Sequence, residues 1–217
     1  MQKQSAKFIA LIGAVIGWFA IIVQLYLIIT NRVVSVPETL LRFFSFFTIN
    51  ANILVALCFT YIYLGSKSRP GKFFSKPTTI TALTVYITIV GVVYNIILRS
   101  TWNPQGLEMV ADELLHSVIP VLFILFWLIF IPIEGLKWKN AFSWLIYPII
   151  YMAYAIMHGV ITKFYPYPFV DVNNLGYNKA LLNAGAVLLV FFLLSLTLIA
   201  TGKLIKNSDD GKKKSVS

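Results

Sequence analysis

Charge is what this 217-residue chain has least of. Charged residues make up 12% of it, only 8 of them are Asp or Glu, and histidine occurs twice. A water-soluble domain carries about twice that charged fraction. With 59% apolar residues and a mean hydropathy of +0.81, a soluble globular protein is excluded. A single cysteine, Cys58, excludes a disulfide framework and any thiolate-rich metal site. The two histidines lack HExxH spacing, so no zinc site is expected. Neither a glycine-rich phosphate loop beside a strand nor a GxSxG elbow occurs, and no cofactor is expected. A pair of mid-membrane carboxylates, which a proton-coupled carrier would need, is also missing.

What the chain has instead is long apolar runs. A helix needs about 20 apolar residues to cross a bilayer, because hydrocarbon offers no partner to an open backbone amide. Six runs qualify, at 8–30, 43–64, 78–98, 114–133, 141–162 and 180–201. The longest connection, 163–179, is too short for a second domain. The sequence therefore predicts an all-α polytopic membrane protein: one six-helix transmembrane bundle over 1–217 that ends in a short basic tail at about 203–217. The first run is longer than the ~7 to 15 apolar residues of a signal peptide and no small-x-small site follows it, so it reads as a retained span. Gly13 and Gly17 form a GxxxG there, a packing device with no functional content of its own.

The net charge of +10 would suggest nucleic acid on a soluble chain; here its placement reads as topology. Lys and Arg fall 13 to one side of the alternating spans and 5 to the other. Basic short loops stay cytoplasmic, so both termini are expected in the cytoplasm. The basic tail then lies near anionic lipid, and nucleic acid is not an expected partner. For a bacterial chain the expected location is the cytoplasmic membrane.

Depth follows from that topology. At 1.5 Å per residue, Thr48 lies about 8 Å below the outer end of the second span, His116 about 3 Å below that of the fourth, and His158 about 6 Å from that of the fifth. Asn95 and Arg99 close the third span on the same side. Ser45, Thr48 and Asn52 are spaced to share one helix face, as are Asp112 and His116, and again Tyr151, Tyr154 and His158. Pro120 deprives the His116 carbonyl of its helical partner, which predicts a bend and a pocket below that histidine. Each of these residues has an ordinary alternative. A threonine in a span usually donates its hydroxyl to a carbonyl one turn back, a histidine near a helix end hydrates, first-turn acids answer the helix dipole, and Tyr-Pro runs form interface belts. Convergence at one depth is what these alternatives leave unexplained.

The set has the parts of a nucleophilic hydrolase. A hydroxyl needs a base within reach and a third group to orient that base. Thr48 and His116 are the candidate nucleophile and base, Asp112 or Glu113 the orienting acid, and Ser45, Asn52 or a freed backbone amide the oxyanion donor. Asn95 and His158 are supporting candidates.

Three segments carry a resemblance: Arg42-Phe43-Phe44-Ser45-Phe46-Phe47-Thr48-Ile49-Asn50-Ala51-Asn52, Leu115-His116-Ser117-Val118-Ile119-Pro120 and Tyr165-Pro166-Tyr167-Pro168-Phe169. In that order they resemble six-span bacterial membrane proteins similar to the androgen-induced and androgen-dependent TFPI-regulating proteins. The resemblance implies a threonine nucleophile on the second span and a histidine on the fourth, hydrolysing esters of fatty acids with hydroxy fatty acids. By motif these roles fall on Thr48 and His116, whereas His158 and the doubled Tyr-Pro look like features of the bacterial branch. The expected partners are then membrane lipids and a lipid ester substrate. The alternative from another class is a membrane protein that binds or carries a lipid or small molecule in the same polar layer, and a third is a scaffold whose polar layer only pairs helices.

Overall fold

The computed structural model describes residues 2–65, 67–101, 103–131 and 135–214, with side chains described up to residue 204. Most of the basic tail's side chains and the last residues of the expected fourth span lie outside the described residues. The chain is all-helical, and six helices are long and apolar enough to cross a membrane. No strand occurs among the described residues. The first span is α1 (Gln2–Thr30). A short α2 (Val36–Ser45) leads into the second, α3 (Phe47–Leu64). After α4 (Arg69–Phe74) the third span is α5 (Pro77–Val93), continued by a π turn at Tyr94–Leu98. The fourth is α6 (Leu107–Glu113), a second π turn at Leu114–Val118, and α7 (Ile119–Phe130). The fifth is α8 (Asn140–Thr162), and the sixth lies in α9 (Val172–Lys214).

Local chemistry sets most of these ends. Ser35 Oγ accepts the Glu38 N–H ahead of α2, and Ser68 Oγ accepts the Gly71 N–H ahead of α4, each with a proline in the first turn. Gly65 ends α3 in the left-handed region (φ 59°), where glycine pays no Cβ penalty. Gly176 (φ 75°, ψ 160°) breaks α9 before its apolar run.

The expected single helix over 43–64 is instead two. Phe46 is extended (ψ 126°) between α2 and α3, although no Gly or Pro lies there. Side chains hold the break open. Asn50 Nδ2 donates to the carbonyls of Phe44 (2.8 Å) and Phe46 (3.0 Å), and the Tyr151 hydroxyl donates to the Ser45 carbonyl at 2.8 Å. Ser45 therefore does not share a continuous helix face with Thr48 and Asn52.

α1 packs on α3 through its small residues. A Cβ on Gly13 would lie 2.5 Å from the Phe59 ring, and one on Gly17 3.0 Å from the Ala56 Cβ, so the GxxxG serves close approach as expected. Phe59, Phe123, Phe126 and Trp127 fill the centre with at most 2% exposure, the Phe59 ring meeting those of Phe123 and Phe126 edge to face. The two buried helix prolines are both compensated from the third span. Pro148 cannot fill the Trp144 carbonyl, which accepts the Tyr86 hydroxyl at 2.7 Å. Pro120 cannot fill the His116 carbonyl, which accepts Asn95 Nδ2 at 3.1 Å. Gly91 permits this approach, since a Cβ there would lie 3.1 Å from Pro120 and 3.2 Å from the His116 oxygen.

Candidate functional site

The π turn before Pro120 re-aims His116, and such turns are common at functional sites. His116 Nδ1 lies 3.0 Å from the Asp112 carbonyl and 3.1 Å from Asp112 Oδ1. A backbone carbonyl can only accept, so Nδ1 is the donor nitrogen, and in the neutral ring Nε2 is the basic one. The imidazole stacks on Tyr94, with ring centroids 4.0 Å apart and planes 13° from parallel. The Tyr94 hydroxyl donates to Asp112 Oδ2, so both carboxylate oxygens are occupied in fixing one ring. Of the two acids considered from the sequence, Asp112 is the one that orients the histidine; Glu113 pairs with Arg99 instead. His116 Nε2 makes no hydrogen bond among the described residues.

Thr48 sits in the first turn of α3, 9% exposed. The break at Phe46 gives it an unusual position. Thr39, Thr60, Thr81, Thr84, Thr88 and Thr197 each donate to the carbonyl four residues earlier, the ordinary fate of a helical threonine. For Thr48 that carbonyl belongs to Phe44, across the break, and Asn50 Nδ2 has taken it. Thr48 makes no such bond. Its hydroxyl lies 3.3 Å from the Tyr167 hydroxyl, and its backbone N–H donates to the same phenol at 3.2 Å. One residue earlier, the Phe47 N–H donates to Tyr151 at 3.1 Å. Two phenols thus cap the buried start of α3, a place where open amides must find partners.

Thr48 and His116, from different helices, border the same space. A cavity of about 260 Å³ is lined by Thr48, His116 and Asp112 together with Gln24, Phe46 and Tyr167. A second, smaller space of about 40 Å³ meets it at Thr48, Tyr94, His116 and Tyr167, and runs among apolar side chains including Val90, Met152 and Phe191. The two spaces thus share the two candidate residues, two tyrosines and Leu98, and the larger adds Gln24, Thr101 and Asp112 to a mainly apolar lining. No direct hydrogen bond joins Thr48 to His116.

The other sequence candidates have different duties. Ser45 is fully buried and donates to the Arg42 carbonyl at 2.7 Å. Asn52, also at 0% exposure, donates from Nδ2 to the carbonyls of Thr48 (2.9 Å) and Leu115 (3.2 Å), tying α3 to the π turn of the fourth span. Asn95 uses Nδ2 on the Gly91 and His116 carbonyls and receives Arg99 on Oδ1. These three shape the backbone around the cavity; none of them lines it. His158 borders neither chamber. Its Nδ1 faces the Phe164 carbonyl at 3.3 Å and the Thr162 hydroxyl at 3.4 Å, bracing the loop after α8.

Tyr94 and Tyr167 are the site residues that sequence reasoning missed. Tyr94 adjoins Asn95 at the depth already singled out, a signal that was available. Tyr167 stands in a Tyr-Pro run that reads as a belt, and only the fold shows 163–171 turned inward. Phe46 meets Phe164 and Tyr167 edge to face at 6.0 Å, Arg42 lies over the Phe164 ring at 4.6 Å, and Asn183 Nδ2 holds the Phe169 carbonyl at 2.9 Å. Burial pushes the Tyr167 phenol above the usual tyrosine range, against the lowering effect of its Thr48 contacts, so it stays protonated at neutral pH. Among the described residues no three His, Cys, Asp or Glu side chains converge as metal ligands do.

Comparisons with models of protein families, with curated proteins and with solved structures found no match to this chain. The resemblance drawn above rests on the three short segments alone.

Proposed function

We propose that this protein is a threonine-type hydrolase of amphiphilic lipid esters, with Thr48 as nucleophile and His116 as base, oriented by Asp112. The observation that carries the reading is that Thr48 makes no helical back-bond and its hydroxyl meets only Tyr167. The break at Phe46 denies it that back-bond, and the same cavity is lined by an imidazole whose Nδ1 is taken up by Asp112, so that Nε2 is the basic nitrogen of the neutral ring. A merely structural threonine needs neither arrangement. A mainly apolar cavity with a few polar groups at Gln24, Thr48, Thr101, Asp112 and His116 suits an ester with a polar head and an apolar chain.

In the reaction, Thr48 Oγ bonds to the acyl carbon as its proton passes to His116 Nε2, and the carbonyl electron pair moves onto oxygen. Collapse expels the alcohol, which takes the proton from Nε2, and leaves the acyl group on Thr48. Water then gives a proton to Nε2 and attacks the same carbon. The fatty acid departs and the proton returns to Thr48. For the first step the Thr48 hydroxyl and the imidazole close to hydrogen-bond distance, a tightening on substrate binding that is common in active sites.

The topology belongs to the same reading. With 13 basic residues on one side against 5 on the other, both termini face the cytoplasm and the cavity opens toward the outer leaflet; in a bacterium the host is the cytoplasmic membrane. The test is hydrolysis of a fatty-acyl ester by purified protein in lipid nanodiscs. Thr48→Ala and His116→Ala are each expected to abolish turnover while both variants still insert and melt cooperatively. Undiminished turnover in either variant overturns the mechanism. A second reading, a lipid-binding protein without chemistry, is favoured by one fact, that the Thr48 hydroxyl contacts Tyr167 rather than His116. It requires that saturable lipid binding occur with no hydrolysis.

A further inference from the structure

We infer that Tyr167 is a positioning residue for Thr48, one that aims the nucleophile's proton at the base. The inference rests on the hydrolase reading above. A threonine hydroxyl has one proton and two lone pairs, and as a nucleophile it must present that proton to the imidazole. The Tyr167 oxygen already accepts the Thr48 N–H at 3.2 Å, so its own O–H is left to donate. Thr48 Oγ1, at 3.3 Å, is an acceptor within its reach, as is the oxygen of the Tyr151 phenol beside it. Tyr151, the neighbouring phenol, has committed its proton to the Ser45 carbonyl at 2.8 Å. With the phenol proton on one lone pair of Thr48 Oγ1, the threonine proton is turned away from Tyr167 and toward the cavity shared with His116. The other acceptor within reach of a helical threonine, the Phe44 carbonyl, is filled by Asn50.

A second buried phenol away from Thr48 serves as the control: Tyr86 donates to the Trp144 carbonyl at 2.7 Å and lines neither chamber. The experiment measures the rate of covalent labelling by an activated alkyl fluorophosphonate, and kcat and KM for ester hydrolysis, in full-length protein. Tyr167→Phe is expected to slow labelling and lower kcat by about tenfold or more, with KM within about twofold. Tyr86→Phe removes the other phenol's bond and is expected to keep the labelling rate within about threefold. Equal rates in wild type and Tyr167→Phe overturn the inference and leave the hydrolase reading standing. Equal slowing by both variants also overturns it, because loss of a buried phenol bond anywhere in the bundle then accounts for the effect. No label on the wild-type protein, or the same label on Thr48→Ala, sinks the hydrolase reading and this inference with it.

Should Tyr167→Phe fail to fold, 3,5-difluorotyrosine at position 167 retains the ring and its hydroxyl but makes the phenol more acidic. An ionised phenol cannot donate to Thr48, so the alkaline limb of the labelling rate is expected to move to lower pH. An unchanged pH profile overturns the inference.

Discussion

Asn95 Nδ2 donates to the His116 carbonyl at 3.1 Å, supplying from the third span the hydrogen bond that Pro120 cannot make in the fourth. Asn95→Leu leaves that carbonyl open and loosens the π turn that aims the imidazole. The expected result is a loss of about 1 to 2 kcal/mol in stability, seen as a lower melting temperature in detergent, together with reduced hydrolysis. Pro120→Ala in the same background restores a backbone donor at position 120 and is expected to recover part of the stability.

Asp112→Asn tests the orientation of the base. The amide keeps the shape of the carboxylate, and with its oxygen on Tyr94 it presents an NH2 to His116 Nδ1. The Asp112 backbone carbonyl still accepts from Nδ1, so the NH2 opposes a ring N–H and the carboxylate charge that stabilises the imidazolium formed in the reaction is gone. Turnover is expected to fall on the order of 10³-fold, with a much smaller change in melting temperature. Activity within about tenfold of wild type, measured at saturating substrate, is incompatible with Asp112 acting in this way.

Gly13→Ala probes the α1–α3 contact away from the site. The new Cβ would meet the fully buried Phe59 ring at 2.5 Å, so either the ring or the helix must shift. A destabilisation of about 1 to 3 kcal/mol is expected, while residual folded protein hydrolyses with an unaltered KM.

The chain's one cysteine helps to test its orientation. Cys58 is buried and donates to the Phe74 carbonyl, so it gives little background to thiol reagents. Asn103→Cys is expected to react with a membrane-impermeant maleimide in intact cells. Lys67→Cys is expected to react only after the membrane is opened. The reverse pattern inverts the topology and moves the cavity to the cytoplasmic side.

The six spans were legible because bilayer thickness imposes a length that apolar runs display directly. Proline and glycine announced several helix ends, and Pro120 correctly marked the His116 carbonyl as open. The break at Phe46 left no such mark. It is held by Asn50 next to it and by Tyr151 from a span more than a hundred residues away, so no local propensity could announce it. Because that break decides where the Thr48 hydroxyl points, the most informative feature of the site was also the least readable. His158 lies away from both chambers for a related reason. Spacing placed it on a face with Tyr151, but the loop after α8 offered its ring a nearer carbonyl, that of Phe164. Asp112 prevailed over Glu113 once Arg99 had engaged the latter.

Whether the Thr48 oxygen is a nucleophile decides between hydrolysis and binding alone. Treating wild-type protein with an activated alkyl fluorophosphonate and locating the adduct by tandem mass spectrometry asks this without knowledge of the natural substrate. The expected result is one phosphonyl group per chain on Thr48, lost in Thr48→Ala and strongly slowed in His116→Ala. An adduct on another residue, or a folded protein that takes up no reagent, contradicts the assignment of Thr48.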